Sequence, residues 1–137
     1  MCGIVGVISK NFNIEAALKK AHEVQGHRGP DNHSEMIVEE NGWKVGLAHQ
    51  RLSIIDLTVE SNQPMFYKNK GAIIFNGELY NYLEIRKELE KEGFVFQTNS
   101  DTEVLLVSLH YYGIEEALQK FNGMWAFAWY DMENKKI

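Results

Sequence analysis

The residue with the clearest chemical potential is Cys2, the only cysteine in the chain. Removal of Met1 would make it the N-terminal residue, which carries a thiol and a free α-amine together. An α-amine ordinarily has a pKa of about 7.7–8.0 and a cysteine thiol one of about 8.5. Such an amine is a suitable base near neutral pH for activating the thiol as a nucleophile. Position alone is weak evidence, and chance placement of the cysteine is the competing interpretation.

Asn76 and Gly77 could supply a second element of the same chemistry. An amide side chain beside a glycine N–H is the kind of donor pair that stabilises the oxyanion of a tetrahedral intermediate. The pair follows the apolar stretch 72–75, which predicts a buried strand, so we expect it at the end of that strand. Because Asn-Gly is also a common turn dipeptide, a plain strand-ending turn is the competing interpretation.

Two isolated charges could hold the ends of an amino-acid substrate. Arg51, at the head of a long apolar loop, could bind a carboxylate through two N–H groups of its guanidinium. Asp101, in the first turn of a predicted helix, could hold an ammonium group, although an acid there also suits the helix dipole. The charged segment 27–31, His-Arg-Gly-Pro-Asp, could order its loop through an internal Arg–Asp pair or bind an anion, and we prefer the structural role.

Composition narrows the class of protein. The chain has 137 residues, a formal charge of −5 and 24% charged residues, which is typical of a single soluble globular domain. It has no basic run, which argues against nucleic-acid partners, and its histidine spacing predicts no metal site. No apolar run approaches the roughly 18–20 residues that span a membrane. A lone cysteine permits no internal disulfide and suits the reducing cytoplasm.

The N-terminal half is predicted to hold the nucleophile on a strand. The apolar stretch 4–8 predicts a buried strand directly after Cys2, and the spacing that starts at Ile14 predicts a helix over 14–23. Asn41-Gly42 predicts a tight turn between strands 36–39 and 43–49. His49, on the apolar face of the second of these strands, is interpreted as a hydrogen-bonded histidine at the edge of the core.

The stretch 51–64 is a long irregular connection. Loops of this length without regular structure are often functional. Its apolar side chains make it unsuited to a solvated tether, so we expect it to lie against the wall of a pocket.

Helices alternate with strands in the C-terminal half. Helical spacing of apolar residues predicts three helices, over 82–89, 105–112 and 114–121. Ser100 and Glu103 have the spacing of a capping box, and 94–97 is predicted as a short strand. The stretch 124–130 is apolar on both faces of a strand, so its sheet should be covered on both sides. Residues 135–137 follow a turn and are predicted to start a return strand.

Taken together, the motifs resemble the class II glutamine amidotransferase domain, an N-terminal nucleophile hydrolase. The nearest match is the glutaminase half of glutamine-dependent asparagine synthetases. The matching segments follow the family's order along the chain and are 1–4, 27–31, 48–56, 63–65, 75–81, 100–103 and 121–128. Each motif alone is weak, whereas their joint occurrence is specific.

The resemblance implies an α+β fold of four layers, αββα, in which two antiparallel sheets lie between helices. It implies that Cys2 attacks the side-chain amide of glutamine while its own α-amine shuttles the proton. Asn76 and the Gly77 N–H would stabilise the oxyanion, and a glutamyl thioester would then be hydrolysed. The substrate-binding residues implied in the same way are Arg51 for the α-carboxylate, Asp101 with Glu78 for the α-ammonium, and Leu52, Ile54 and Ile55 for the pocket wall.

The resemblance also sets expectations about partners. One residue departs from the pattern: Ser34 stands where the family usually has glycine. We expect a glutaminase domain that is truncated at its C-terminus, with no cofactor of its own. The synthetase domain of the family, which uses ATP and magnesium and receives the ammonia, would be absent. The ammonia acceptor and a homodimeric state are left open.

Two other interpretations are carried forward. If Met1 is retained, the α-amine becomes part of a peptide bond, and the chain would be an inert structural or interaction fragment. A different amidohydrolase with an N-terminal nucleophile is the second. Arg51 and Asp101 argue against it, because together they match an amino-acid zwitterion.

Overall fold

Two three-stranded antiparallel sheets lie face to face at the centre of the computed structural model, which describes all residues from 1 to 137. The strands are β1 (Gly3–Ser9), β2 (Asn32–Glu40), β3 (Trp43–Arg51), β4 (Met65–Tyr67), β5 (Gly71–Leu79) and β6 (Gly123–Asp131). The helices are α1 (Ile14–Gln25), α2 (Tyr82–Lys91), α3 (Asp101–Tyr112) and α4 (Ile114–Lys120). The first sheet has the order β1-β3-β2 and the second the order β4-β5-β6.

Three separate groups of buried side chains define four layers. Ile14 and Leu18 of α1 pack on Ala48 of the first sheet, in a group of 3 buried residues. A group of 6 buried residues, which includes Leu47 and Ile74, lies between the two sheets. The largest group, 13 buried residues, joins the second sheet to the helices α2, α3 and α4. The predicted αββα arrangement is confirmed.

The two faces of β5 serve different layers. Ile73, Phe75 and Leu79 pack with the helices, whereas Ala72 and Ile74 pack against the first sheet. Successive side chains of a strand point to opposite faces. By this alternation Asn76 and Glu78 lie on the face of β5 that looks toward the first sheet.

Asn76-Gly77-Glu78 forms the second half of β5, so the competing interpretation of a strand-ending turn is wrong. These residues pair with Ala126, Trp125 and Met124 of β6. Glycine is required at the contact, because a Cβ at Gly77 would collide with the Met124 carbonyl oxygen. A Cβ at Gly123 would collide in the same way with the carbonyl oxygen of Glu78. The strand continues because two glycines let the backbones approach.

The start of α3 differs from the predicted capping box. The Ser100 side chain caps the helix by accepting a hydrogen bond from Thr102 N–H at 3.1 Å. Glu103 reaches past Ser100 and accepts hydrogen bonds from the backbone N–H groups of Gln97 and Thr98, the latter at 2.7 Å. The predicted strand at 94–97 is wrong, because a carboxylate takes the N–H groups of Gln97 and Thr98 in place of a neighbouring strand.

Other local predictions are confirmed. The β2–β3 turn has positive φ at Asn41 (52°) and Gly42 (74°), as a tight hairpin requires. His49 is buried, and its Nε2 lies 3.1 Å from the carbonyl oxygen of Phe75. The return after β6 consists of one bridge between Asp131 and Lys136.

The strand β6 is covered on both faces only in its second half, because Met124 and Ala126, on the face toward the first sheet, are exposed at the cavity. Trp125, Phe127 and Trp129 pack with the helices, and Ala128 and Tyr130 pack between the sheets. None of the helices has the length and apolar character needed to cross a membrane.

Candidate active site

A single cavity of about 600 Å³ contains the predicted site residues. Cys2 enters it just before β1, Asn76 and Gly77 line it from β5, and Asp101 lines it from the start of α3. The residues of the predicted set that line this cavity are Cys2, Arg51, Leu52, Ile54, Ile55, Asn76, Gly77, Glu78 and Asp101. Residues far apart in the chain therefore meet at one place, and the set is complete.

Cys2 is held on both its side chain and its backbone. Its half-buried Sγ lies 3.4 Å from the backbone nitrogen of Leu52, which can donate a hydrogen bond to it, and 3.7 Å from the Leu52 carbonyl oxygen. Arg28 Nε donates a hydrogen bond of 2.9 Å to the carbonyl oxygen of Cys2. These contacts fix the position of the sulfur at the wall of the cavity.

The segment 27–31 fixes the backbone beneath Cys2, in a manner that differs from the prediction. Its Arg28 and Asp31 do not pair with each other. Asp31 accepts a hydrogen bond from Ser53 N–H at 2.7 Å, and its own N–H donates to Arg51 O at 3.0 Å. Gly29 packs so closely on Gln50 that a Cβ would collide with its carbonyl group. The structural role is as predicted, but the partners lie on β3 and on the loop after it.

Arg51 is buried, and its guanidinium organises the loop that follows it. Nη1 donates to Thr58 O and to Asn62 Oδ1, each at 2.7 Å, and Nη2 donates to Asp56 O. A guanidinium has five N–H donors. The Nε–H and one Nη2–H are left for a ligand, and all three protein acceptors are neutral, so the positive charge is not cancelled locally.

The loop itself lies only partly against the protein. Leu52, Ile54 and Ile55 line the cavity, as predicted. Leu57 and Val59, in contrast, are 76% and 74% exposed. The carbonyl groups of Asp56 and Thr58 turn inward to bind Arg51, and the side chains of Leu57 and Val59 stay exposed to solvent.

One edge of β5 is free where it borders the cavity. The neighbouring β4 pairs only with Gly71, Ala72 and Ile73. Beyond that point Phe75 N–H donates to Gln63 Oε1 at 2.6 Å, and Leu79 N–H donates to Asp101 Oδ2 at 3.0 Å.

Gly77 lies midway between these two donors. In an antiparallel pair, the N–H groups of alternate residues point to the same edge. The Gly77 N–H therefore points away from β6, between the groups bound by Gln63 and Asp101. It is directed to the free edge that lines the cavity, next to the Asn76 side chain.

Asp101 is a buried carboxylate on the opposite wall. Burial raises its pKa above the ordinary aspartate range, and the negative charge of Glu78 adds to this effect. The hydrogen bond from Leu79 N–H acts in the opposite direction and favours the ionised form. A positively charged group placed here would lower the pKa of this carboxyl.

Three residues that shape the site were missed or misread from the sequence. Asp56 and Gln63 both line the cavity, and each binds a backbone N–H on another element. The Asp56-Leu57-Thr58 spacing is a known signal for a side-chain turn and could have identified Asp56. Nothing local marks Gln63 or the contact of Arg28 with the Cys2 carbonyl, because both partners are distant in sequence. No cluster of three or more His, Cys, Asp or Glu side chains is arranged to hold a metal ion.

The whole chain, residues 1–137, matches the family model described as the glutamine amidotransferase domain. The chain belongs to this family. The resemblance seen in the sequence motifs is thereby confirmed, and the cavity just described is the candidate active site of a glutamine amidotransferase domain.

The relatives include asparagine synthetases and an amidase, and each is much longer than this chain. Glutamine-hydrolysing asparagine synthetase 1 of Bacillus subtilis is 44% identical over 93% of this chain, and the match covers 20% of that protein. Asparagine synthetase B of Escherichia coli is 39% identical over 97% of this chain, which corresponds to 24% of its own length. The amidase chry2 of Gibberella zeae is 37% identical over 88% of this chain and 17% of its own. The chain thus spans about a quarter or less of each of these relatives.

Proposed function

We propose that this domain hydrolyses the side-chain amide of glutamine to glutamate and ammonia, with Cys2 as the nucleophile after removal of Met1. The observation that carries the proposal is the meeting of four groups in one cavity. These are the Cys2 thiol, the Asn76-Gly77 donor pair, the Arg51 guanidinium and the buried Asp101 carboxylate. Together they match an amide flanked by an amino-acid zwitterion.

In the first step, the Cys2 sulfur attacks the amide carbon of glutamine and the carbonyl π electrons move to the oxygen. The Gly77 N–H and the Asn76 amide stabilise the resulting oxyanion. The α-amine of Cys2 takes the thiol proton and passes it to the departing nitrogen. The C–N bond breaks, ammonia leaves, and a γ-glutamyl thioester forms on Cys2.

In the second step, water attacks the thioester carbon. The α-amine removes a proton from the water, and the same donors stabilise the second oxyanion. The C–S bond then breaks, glutamate is released, and the proton returns to the sulfur. No net oxidation or reduction occurs, and the enzyme returns to its starting state.

The substrate's charged end is assigned to the two side walls of the cavity. The two free N–H groups of Arg51 bind the α-carboxylate, and Asp101 with Glu78 binds the α-ammonium. The Leu52, Ile54 and Ile55 segment covers the methylene chain. Arg51 suits this role because its other donors hold only neutral acceptors.

The partner implied by the relatives is an ATP-dependent amidating domain. We propose that the ammonia passes to an asparagine synthetase-like domain, where ATP and magnesium would act, outside the residues described here. Support comes from the names of the B. subtilis and E. coli relatives, whereas the amidase relative keeps other acceptors open. A reducing cytoplasm suits the single free thiol, and we place the reaction there.

The test is release of glutamate from glutamine by the purified protein and by a Cys2→Ala variant. Loss of the nucleophile should lower kcat by at least about 10³-fold. Circular dichroism of both proteins controls for folding. Equal glutamate release from the two proteins would sink the proposal.

An inert fragment is the second candidate, and one observation favours it. Met1 lines the mouth of the same cavity and, while attached, ties the α-amine into a peptide bond. Intact mass spectrometry separates the two candidates. Loss of one methionine supports the enzyme, whereas full retention together with absent turnover supports the inert fragment.

A further inference from the structure

Asp56 connects the two walls of the cavity. It is 8% exposed and lies in the loop that follows Arg51. Its Oδ1 accepts hydrogen bonds from the Thr58 N–H at 2.8 Å and the Thr58 hydroxyl at 2.7 Å. Its Oδ2 accepts a hydrogen bond from Asn99 N–H at 2.8 Å, across 43 residues of sequence. One carboxylate therefore binds its own loop and the segment that leads into α3.

Each of these contacts continues to a substrate-binding group. The Asp56 carbonyl oxygen and the Thr58 carbonyl oxygen both accept hydrogen bonds from Arg51. On the other wall, Asn99 lies two residues before Asp101. Asp56 therefore connects the carbonyl groups that bind Arg51 with the segment that leads into Asp101.

The Asp56 carboxylate is fully committed to this connection. The hydrogen bonds from Thr58 and Asn99 hold the pKa of Asp56 well below its usual range. Arg51 binds its backbone oxygen and leaves its carboxylate alone. Asp56 thus stays charged without neutralising the guanidinium, which keeps its charge for a substrate carboxylate.

We propose that Asp56 is a positioning residue that sets the spacing between Arg51 and Asp101, and so makes the site select amides that carry both an α-carboxylate and an α-ammonium. This inference rests on the proposed function. An asparagine at this position would keep one oxygen but would point an NH₂ group at a backbone donor. Asp56 then loses its hydrogen bonds either with Thr58 or with Asn99, and the spacing between Arg51 and Asp101 is no longer fixed.

The experiment compares two substrates in the Asp56→Asn variant. Glutamine carries both charged groups, and glutaramic acid is the same molecule without the α-amine. In the wild-type protein, glutamine should have the higher kcat/KM. In Asp56→Asn, the KM for glutamine should rise about tenfold with kcat within about threefold, because a lost charged hydrogen bond alters the fit of the substrate. The preference for glutamine over glutaramic acid should fall about tenfold, because the ammonium no longer meets Asp101 while Arg51 holds the carboxylate.

Asp131→Asn is the matched control. Asp131 Oδ1 also accepts backbone hydrogen bonds in a turn, from Glu133 and Asn134 at 3.0 Å each, but it lies at the far end of β6. The same substitution there should leave the KM and the substrate preference unchanged. Both variants are checked by thermal unfolding.

The outcomes separate the inference from the function it rests on. A fall in kcat with unchanged KM, or an equal loss on both substrates, would show that Asp56 supports the fold only and would overturn the inference. If Asp56→Asn does not fold, Thr58→Val removes one donor to the same carboxylate and should lower the preference about threefold. Wild-type protein without glutaminase activity sinks the proposed function, whereas an active wild type with Asp56→Asn indistinguishable from Asp131→Asn sinks this inference alone.

Discussion

The central strands of the two sheets are alike in length and differ in how they are paired. Both β3 and β5 have nine residues. The strand β3 pairs with β2 along its full length, and on its other edge it pairs with β1 from Lys44 to Gln50. In contrast, β5 pairs fully with β6 but with β4 over three residues only. A strand that is paired on both edges has its backbone N–H groups occupied by its neighbours. The partly unpaired edge of β5 leaves a backbone N–H group available to a ligand.

The difference explains how each strand serves the site. The strand β3 contributes through the side chain of its last residue, Arg51, and through the loop that this side chain organises. The strand β5 contributes a backbone donor at Gly77, flanked by N–H groups that Gln63 and Asp101 occupy. In the proposed mechanism, β3 supplies substrate binding through Arg51, and β5 supplies the oxyanion donor at Gly77.

The strongest test exchanges glycine for alanine in each strand. In Gly77→Ala, the new methyl group would collide with the β6 backbone, and one of the two strands must move. Displacing the Gly77 N–H should lower kcat by about 10²–10³-fold, the usual effect of losing an oxyanion donor. In Gly46→Ala, the methyl group would meet the Ile14 and Leu18 side chains of α1, the latter at 3.0 Å.

The Gly46→Ala effect should appear in stability. Overpacking of this kind costs about 1–3 kcal/mol in unfolding free energy. The turnover of the folded Gly46→Ala protein should stay near the wild-type value. Urea unfolding and glutaminase assays on both variants check this. Similar kcat values in the two variants would contradict the proposal that β5, and not β3, carries a backbone donor for catalysis.

The next test uses His49, which joins the two strands. It lies on β3, and its Nε2–H donates to the Phe75 carbonyl oxygen on β5. Burial lowers the pKa of His49 to about 4. A histidine in the unfolded chain has a pKa of about 6.5. Between about pH 4 and 6.5, His49 is therefore protonated in the unfolded chain and neutral in the folded protein. The contribution of neutral His49 to the free energy of unfolding is fully present above about pH 6.5. It is lost as the pH falls toward 4, at about 1.4 kcal/mol per pH unit and about 3 kcal/mol in total.

The measurement is urea unfolding between pH 4 and 7 for the wild type and His49→Gln. The difference between the two curves should show this slope, because the other titrating groups are common to both proteins. Parallel curves would mean that His49 is not the group responsible.

The smallest expected effect concerns the occupied donors of β5. Gln63→Met removes the acceptor of the Phe75 N–H and leaves a buried donor without a partner. The unfolding free energy should fall by about 1–3 kcal/mol. Gln50→Met on β3 is the comparison, because the Gln50 side chain binds His22 and holds no strand donor.

The two glutamine variants should differ in hydrogen exchange. The Phe75 amide should exchange faster in Gln63→Met, and the Ala48 and Leu47 amides should be unaffected in Gln50→Met. Exchange followed by NMR checks both. Unchanged protection at Phe75 would contradict the assigned hydrogen bond.

The sequence predicted correctly which residues line the cavity. It predicted less well the hydrogen bonds and strand contacts that hold those residues in place. Helices α1, α2 and α3 and the β2–β3 hairpin follow from spacing and turn chemistry, which are local. The extension of β5 through Asn76 to Leu79 depends on Gly77 and Gly123, which lie far apart in the chain and allow β6 to approach. A local interpretation of Asn-Gly as a turn could not include that contact.

The same limit applies to the supporting hydrogen bonds. A pair between Arg28 and Asp31 is a possibility that the sequence suggests because the two are close in the chain, yet Arg28 binds the Cys2 carbonyl. Glu103 was expected at Ser100 and binds Gln97 and Thr98 instead. In each case the sequence identified a short charged motif, but the hydrogen-bond partner of the charged side chain depends on the packing of the folded chain.

The unequal sizes of the three core groups have a consequence for motion. The helix α1 rests on a group of 3 buried residues, whereas β5 is fastened to α2–α4 by a group of 13. Local opening is easiest where few apolar contacts hold an element. We therefore expect α1, which packs on the strand that follows Cys2, to open more readily than the helices that pack on β5. In the proposed mechanism, the Cys2 sulfur therefore lies on the side of the more readily opened layer, whereas the Gly77 donor lies on the side of the more firmly packed one.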